Sequence, residues 1–161
     1  MEAKGIKNKK RIGLGEEIIY KNPKVFIRQS AKEIISSFDI TESSANNSLY
    51  VFSLRDNSEN SLTILRYICG ILNSELITFF AQQRNIIRYS NGKQPQIKIS
   101  DLGQILIPSD ETLKRNISLL VSYIYSDRNP KWNNDINDLI YNYYDVSSEE
   151  IVFIKESIKS Y

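Results

Sequence analysis

The twenty residues SLTILRYICGILNSELITFF, positions 61–80, decide how the chain is read. Leu65, Ile68, Leu72, Leu76 and Phe79 recur at spacings of three and four, one stripe of an amphipathic helix. Ile64, Ile71 and Phe80 widen that stripe, so the helix is expected to be buried on more than one side. Asn73 and Ser74 interrupt it. Both are poor mid-helix residues, because their side chains compete for backbone hydrogen bonds. A break at Asn73, with Ser74 capping a second helix that begins at Glu75, satisfies them best. A continuous helix kinked at Asn73 is the alternative.

Toward the N-terminus the hydrophobic period falls to two. SLYVFSL, residues 48–54, is rich in β-branched and aromatic residues and reads as a strand. Before it, EEIIYKNPKVFIRQSAKEIISSFD (16–39) contains three strand-like pieces. In VFIR, Phe26 and Arg28 fall on one face and Val25 and Ile27 on the other, with Pro23 just ahead. Toward the C-terminus, IKISDLGQILIP (97–108) is expected to end the αβ portion with a strand that stops at Pro108.

The remainder reads as helical. Leu113, Ile117, Leu120 and Ile124 mark one helix, and Trp132, Ile136, Leu139, Ile140 and Tyr143 mark another, with a turn at Pro130 between them. Ser147 and Glu150 are spaced as a capping box, and Val146 and Ile151 as a hydrophobic staple, so a last helix starts there. The expected fold is therefore α+β: a mixed or antiparallel sheet with packed helices over residues 1–110, followed by a helical C-terminal segment, 111–161, packed on it.

The types of residue present rule out much chemistry. The chain has no histidine and one cysteine, which removes Ser-His-Asp and Cys-His nucleophile systems and zinc sites. Cys69 sits in the helical apolar pattern and reads as a small buried hydrophobe. Gly13 and Gly15 form a GxG that lacks the third glycine of a dinucleotide site. Asp110, Glu111 and Lys114 carry the wrong spacing for a metal-dependent nuclease, and acids at a helix N-terminus need no such explanation. Asp135 and Asp138 read as a solvated helix face. No apolar run reaches the roughly 18 residues of a membrane span. The basic start MEAKGIKNKKR has no apolar region after it, which argues against a signal peptide. The expected compartment is the cytoplasm.

Charge is distributed unevenly. Residues 1–40 carry nine Lys/Arg against five acids, residues 41–110 six of each, and residues 111–161 six against eight. The window 81–100 holds Arg84, Arg88, Lys93 and Lys98, four glutamines and no acid. Such a basic, amide-rich stretch suits a phosphate backbone and base edges better than an acidic protein; the alternative is a solvated loop.

From PKVFIRQSAKEIISSFDITESSANNSLYVFS onward the chain resembles a known family. The likeness continues through YICGILNSELITFF, QIKISDLGQILIP and INDLIYNYYDVSSEEIVFIK, in order, over most of residues 21–154. It is similar to the TaqI-like C-terminal specificity, or target recognition, domain of adenine-specific DNA methyltransferases and fused type II restriction–modification enzymes. That resemblance implies a reader of double-stranded DNA serving a methyltransferase core, which transfers a methyl group from S-adenosylmethionine to adenine N6. The core's Asn/Asp-Pro-Pro-Tyr/Phe motif is absent, and the four prolines are isolated. The chain is therefore expected to be an excised C-terminal domain or separate fragment, with no cofactor of its own. In such a reader Lys and Arg anchor on phosphates while Arg, Gln and Asn read base edges. Arg28, Gln29 and Lys32, at a strand end, form the first candidate cluster. Arg84, Arg88, Lys93, Gln94, Gln96 and Lys98 form the second. The alternative for Arg28 is a strand-edge cation facing solvent.

Two other classes fit parts of the chain. One is a fragment retaining nuclease or methyltransferase activity, which the missing motifs oppose. The other is a protein-interaction adaptor that uses residues 111–161, where Tyr141, Tyr143 and Tyr144 suit an interface.

Overall fold

In a computed structural model, residues 17–89 and 94–161 are described; Gly13, Gly15 and Lys93 lie outside them. The first of the three strand-like pieces is instead a short helix, α1 (Glu17–Lys21), closed by an exposed Glu17–Lys21 ion pair at i,i+4. The other two form strands, β1 (Lys24–Arg28) and β2 (Ser36–Asp39), and SLYVFSL supplies β3 (Leu49–Ser53). The sheet is antiparallel throughout, in the order β2-β1-β3. Val25 and Ile27 of the central strand are buried and Arg28 is exposed, as the alternation of VFIR predicts. Lys24, on the Arg28 side, is fully buried. Its ammonium is satisfied locally, donating to the carbonyls of Asn22 at 3.0 Å and Thr41 at 2.6 Å.

The decisive stretch becomes two helices, α2 (Glu59–Leu72) and α3 (Glu75–Gln83), bent by 62° at their junction. The Ser74 side chain accepts from the Ile77 N–H and so caps α3. Asn73 ends α2 and reaches across to β2. Its Oδ1 accepts from the Ser36 N–H at 2.7 Å, and its Nδ2 donates to the Ser36 carbonyl at 2.9 Å. Cys69 is buried beneath this junction, and burial pushes its thiol pKa up, away from nucleophile chemistry.

After α3 come a two-stranded antiparallel ribbon, β4 (Ile87–Arg88) and β5 (Gln96–Ile97), and a short helix, α4 (Ile99–Leu102). The strand expected to stop at Pro108 is absent. Ile105 is buried and Leu106 is 81% exposed, so ILIP alternates in burial, yet no neighbouring strand pairs with it among the described residues. Period two reports alternate facing; a ladder also needs a partner. Tyr67 pins this extended segment by donating to the Pro108 carbonyl at 2.8 Å.

Everything described after Asp110 is helical or a turn: α5 (Glu111–Asp127), α6 (Lys131–Tyr143) and α7 (Ser148–Ser160). Ser147 and Glu150 form the capping box. The long contact is α2 against α5, with the sheet on another side of α2. Gly70 makes that approach possible, since a Cβ there would lie 2.4 Å from Ile117 Cγ2 and 3.0 Å from Val121 Cγ2. One hydrophobic cluster runs from Val25 through Leu65 and Ile71 to Ile117 and Ile140. Among the described residues, seven helices and two small antiparallel sheets make this an α+β fold. Among the described residues no single helix is long and apolar enough to cross a membrane.

Candidate nucleic-acid interface

The ribbon β4–β5 begins where α3 ends. Arg84 is the C-cap of α3, and Asn85 follows in the left-handed region with φ 53°, a conformation that asparagine tolerates. The Ile86 N–H then returns to the Ala81 carbonyl at 2.9 Å, turning the chain into β4. In the ribbon Ile87 pairs with Ile97 and Arg88 with Gln96. Both isoleucines are buried, so the pleat sends Arg88 and Gln96 outward together on the other face.

This ribbon is fastened to the end of β1. The Ile97 N–H donates to the Gln29 carbonyl at 2.9 Å, and Ser30 Oγ donates to the Pro95 carbonyl at 2.8 Å. Tyr50 of β3 adds a third tie, its hydroxyl donating to the Ile97 carbonyl at 3.1 Å. Gln29 also donates its N–H to the Ser48 carbonyl, completing a bridge between the sheet and the ribbon. Two regions far apart in sequence, 28–30 and 94–98, thus form one surface. Arg28, Arg88, Gln94, Gln96 and Lys98 are all exposed, and Gln29 is partly so.

Two candidates are engaged elsewhere. The Arg84 guanidinium lies over the Phe80 ring, 5.7 Å from its centroid. The Lys32 ammonium donates to the Tyr161 carbonyl at 3.4 Å, and the Lys32 carbonyl accepts from Gln82 Nε2 at 3.0 Å, tying this residue to α3 and the chain end. Lys93 lies outside the described residues. Of the tyrosines read as an interface, Tyr141 is buried and donates to Glu75 Oε2 at 2.8 Å, so it is a core residue. Burial, with Glu75 beside it, pushes its pKa up. Tyr143 and Tyr144 remain exposed, packed edge to face.

Sequence reasoning missed Asp101. This residue is only 7% exposed, inside the short helix α4, and its Oδ2 lies 2.7 Å from an Arg88 guanidinium nitrogen. The two form a close ion pair whose N–H is not aligned on the oxygen, so Oδ2 makes no hydrogen bond among the described residues. The signal was an acid one residue beyond the acid-free window, at a spacing no helix or strand rule connects to Arg88.

The sequence profile of the TaqI-like C-terminal specificity domain family matches residues 1–107. The matched span takes in the three-stranded sheet, α2, α3, the ribbon and α4, and stops before α5. INDLIYNYYDVSSEEIVFIK therefore lies beyond it. No curated protein gives a match. With about two thirds of its length inside the profile, the chain belongs to the TaqI-like C-terminal specificity domain family.

Proposed function

We propose that this chain reads a DNA sequence on behalf of a restriction–modification enzyme, setting double-stranded DNA against a catalytic core carried outside these residues. The observation that carries the reading is the joined surface: Arg88 and Gln96 side by side on a ribbon fastened to the strand end that bears Arg28. The major groove of B-DNA admits a two-stranded ribbon, and Arg and Gln are suited to guanine and adenine edges. Arg28 and Lys98 flank the ribbon as phosphate anchors. The parent's core is an adenine N6-methyltransferase, with or without a fused endonuclease, working in the cytoplasm. S-adenosylmethionine belongs to that core.

Fluorescence anisotropy with duplexes at several salt concentrations tests the assignment. Arg28→Ala or Lys98→Ala is expected to weaken binding to all duplexes alike and to make the salt slope shallower by about one unit. Gln96→Ala is expected to cost about 1–3 kcal/mol of discrimination at one base pair. Wild-type affinity and discrimination in all three variants would remove this surface from DNA recognition.

The adaptor reading keeps one supporting observation. Leu106 is 81% exposed, beside a groove lined by Leu76, Phe79, Phe80 and Tyr144, and Phe153 packs edge to face on Phe79. In a specificity domain this apolar face docks on the parent's own core.

A further inference from the structure

Arg88 is the exposed member of an ion pair whose other half is buried. Its side chain is 49% exposed, against 10% for Asp101. A surface lysine or arginine chosen only to attract phosphate gains nothing from a carboxylate at 2.7 Å, which cancels its charge. A buried carboxylate, in turn, is costly to keep ionised without a cation. Asp101 Oδ1 has Ser100 Oγ at 3.4 Å, a weak contact, and Oδ2 has Arg88. Arg88 is therefore held from behind.

The holding group is itself fixed. The Asp101 N–H donates to the Lys98 carbonyl at 3.0 Å, and the Asp101 carbonyl accepts from the Gln104 N–H at 3.0 Å. Arg88 stands on a ribbon whose register is set by the buried Ile87–Ile97 pair. Both ends of the contact thus sit on backbone that is pinned to the core. Guanidinium has five N–H donors in a planar fork. One nitrogen lies 2.7 Å from Asp101 Oδ2, and the side chain, 49% exposed, stands on the ribbon opposite Gln96.

We propose that Asp101 is a positioning residue, presetting the Arg88 fork for the paired O6 and N7 acceptors of a guanine, with Gln96 reading beside it. This rests on the DNA-reading function proposed above. The alternative is that the ion pair only fastens the ribbon to α4. The two differ in what they discriminate. A charge-neutralised, oriented arginine contributes little counterion release and much base discrimination.

The test uses the full 161-residue chain and duplexes selected from a randomised pool at low salt. Single-base variants of the selected site are then measured by anisotropy. Asp101→Asn keeps the shape and removes the charge. It unmasks the Arg88 cation, so it is expected to bind unselected duplexes somewhat more tightly, with a salt slope steeper by up to about one unit, while discrimination at one G·C pair falls about ten- to a hundredfold. Arg88→Lys retains a cation for the buried carboxylate but loses the fork, and the same loss at the same pair is expected. Full discrimination in either variant, or an equal loss at every position in Asp101→Asn, overturns the proposal. Should Asp101→Asn fail to fold, Arg88→Lys alone decides. A wild-type chain that selects no sequence overturns the DNA-reading function, and this inference with it. A selected site read equally well by both variants overturns the inference alone.

Discussion

Asp56 fastens the start of α2 from outside the helix. Its Oδ1 accepts from Ser61 Oγ at 2.6 Å and from the Ser58 N–H at 3.0 Å, while Ser58 caps the helix. The hydroxyl of Ser61, then Ser58, hold the carboxyl pKa down, from its ordinary 3.8 to about 2. A depressed carboxylate stabilises the fold fully above its unfolded pKa and loses that contribution as pH falls through the folded one. Urea midpoints of the wild-type chain are therefore expected to drop between about pH 4 and about pH 2, and Asp56→Asn to flatten that drop while lowering the midpoint at neutral pH. An identical pH profile in the variant would show that the serines do not hold Asp56 in solution. This cap was legible in principle, because its partners lie within five residues. Asp101 was not, since it stands thirteen residues from Arg88 and meets it only after the ribbon has folded. The acid-free window 81–100 suggested an unopposed basic loop. Folding places the next residue against one of its arginines.

At the scale of elements, the Asn73–Ser74 break does two jobs. The sequence rules locate it because capping is local, and Ser74 caps α3 as its position predicts. They say nothing of its second job, which involves a strand 37 residues away. β2 pairs with β1 on one side, and its outer edge is met by side chains. Asn73 takes both backbone groups of Ser36, and the Tyr125 hydroxyl of α5 accepts from the Phe38 N–H at 2.6 Å. An edge strand capped in this way has fewer open groups for another chain to pair with. Asn73→Ala is expected to cost about 1–3 kcal/mol, because Ser36 is buried and its N–H loses its acceptor. Asn73→Asp, which keeps the acceptor and loses the donor, is expected to fall between the two in urea denaturation. A variant as stable as wild type would mean that water replaces the amide at no cost. Elsewhere the same rules erred in a consistent way. EEIIY and ILIP carry strand-like composition, but pairing depends on what lies alongside, and nothing in either stretch records that.

On the scale of the whole molecule, the fold is built to present a surface. The sheet and α5 clamp α2, α3 is turned off by the bend, and the ribbon is tied to β1 and β3, so the residues carrying Arg28, Arg88, Gln96 and Lys98 rest on the core. The electrostatic pull of that surface is small. The net charge is +2, the acids outnumber the bases after residue 110, and Arg88 is already opposed by Asp101. Lys32 and Arg84 have contacts within the fold. Among the described residues of this surface few cations therefore remain to release counterions, and each phosphate neutralised contributes close to one unit of salt slope. Nonspecific binding through a few contacts lies near about 10⁻⁴–10⁻⁶ M at physiological salt. The isolated chain is expected at the weak end of that range, with a shallow slope. Chemistry on a base requires the base to be flipped into a pocket, and methyl transfer requires the cofactor, both of which we assign to the parent's core. Incubation with S-adenosylmethionine and plasmid DNA is accordingly expected to give no methylation, and added magnesium no cleavage. Binding near the tight end with a steep slope would mean that a larger basic face is engaged than this surface offers. Turnover that copurifies with the chain would show that a specificity domain is not all it is.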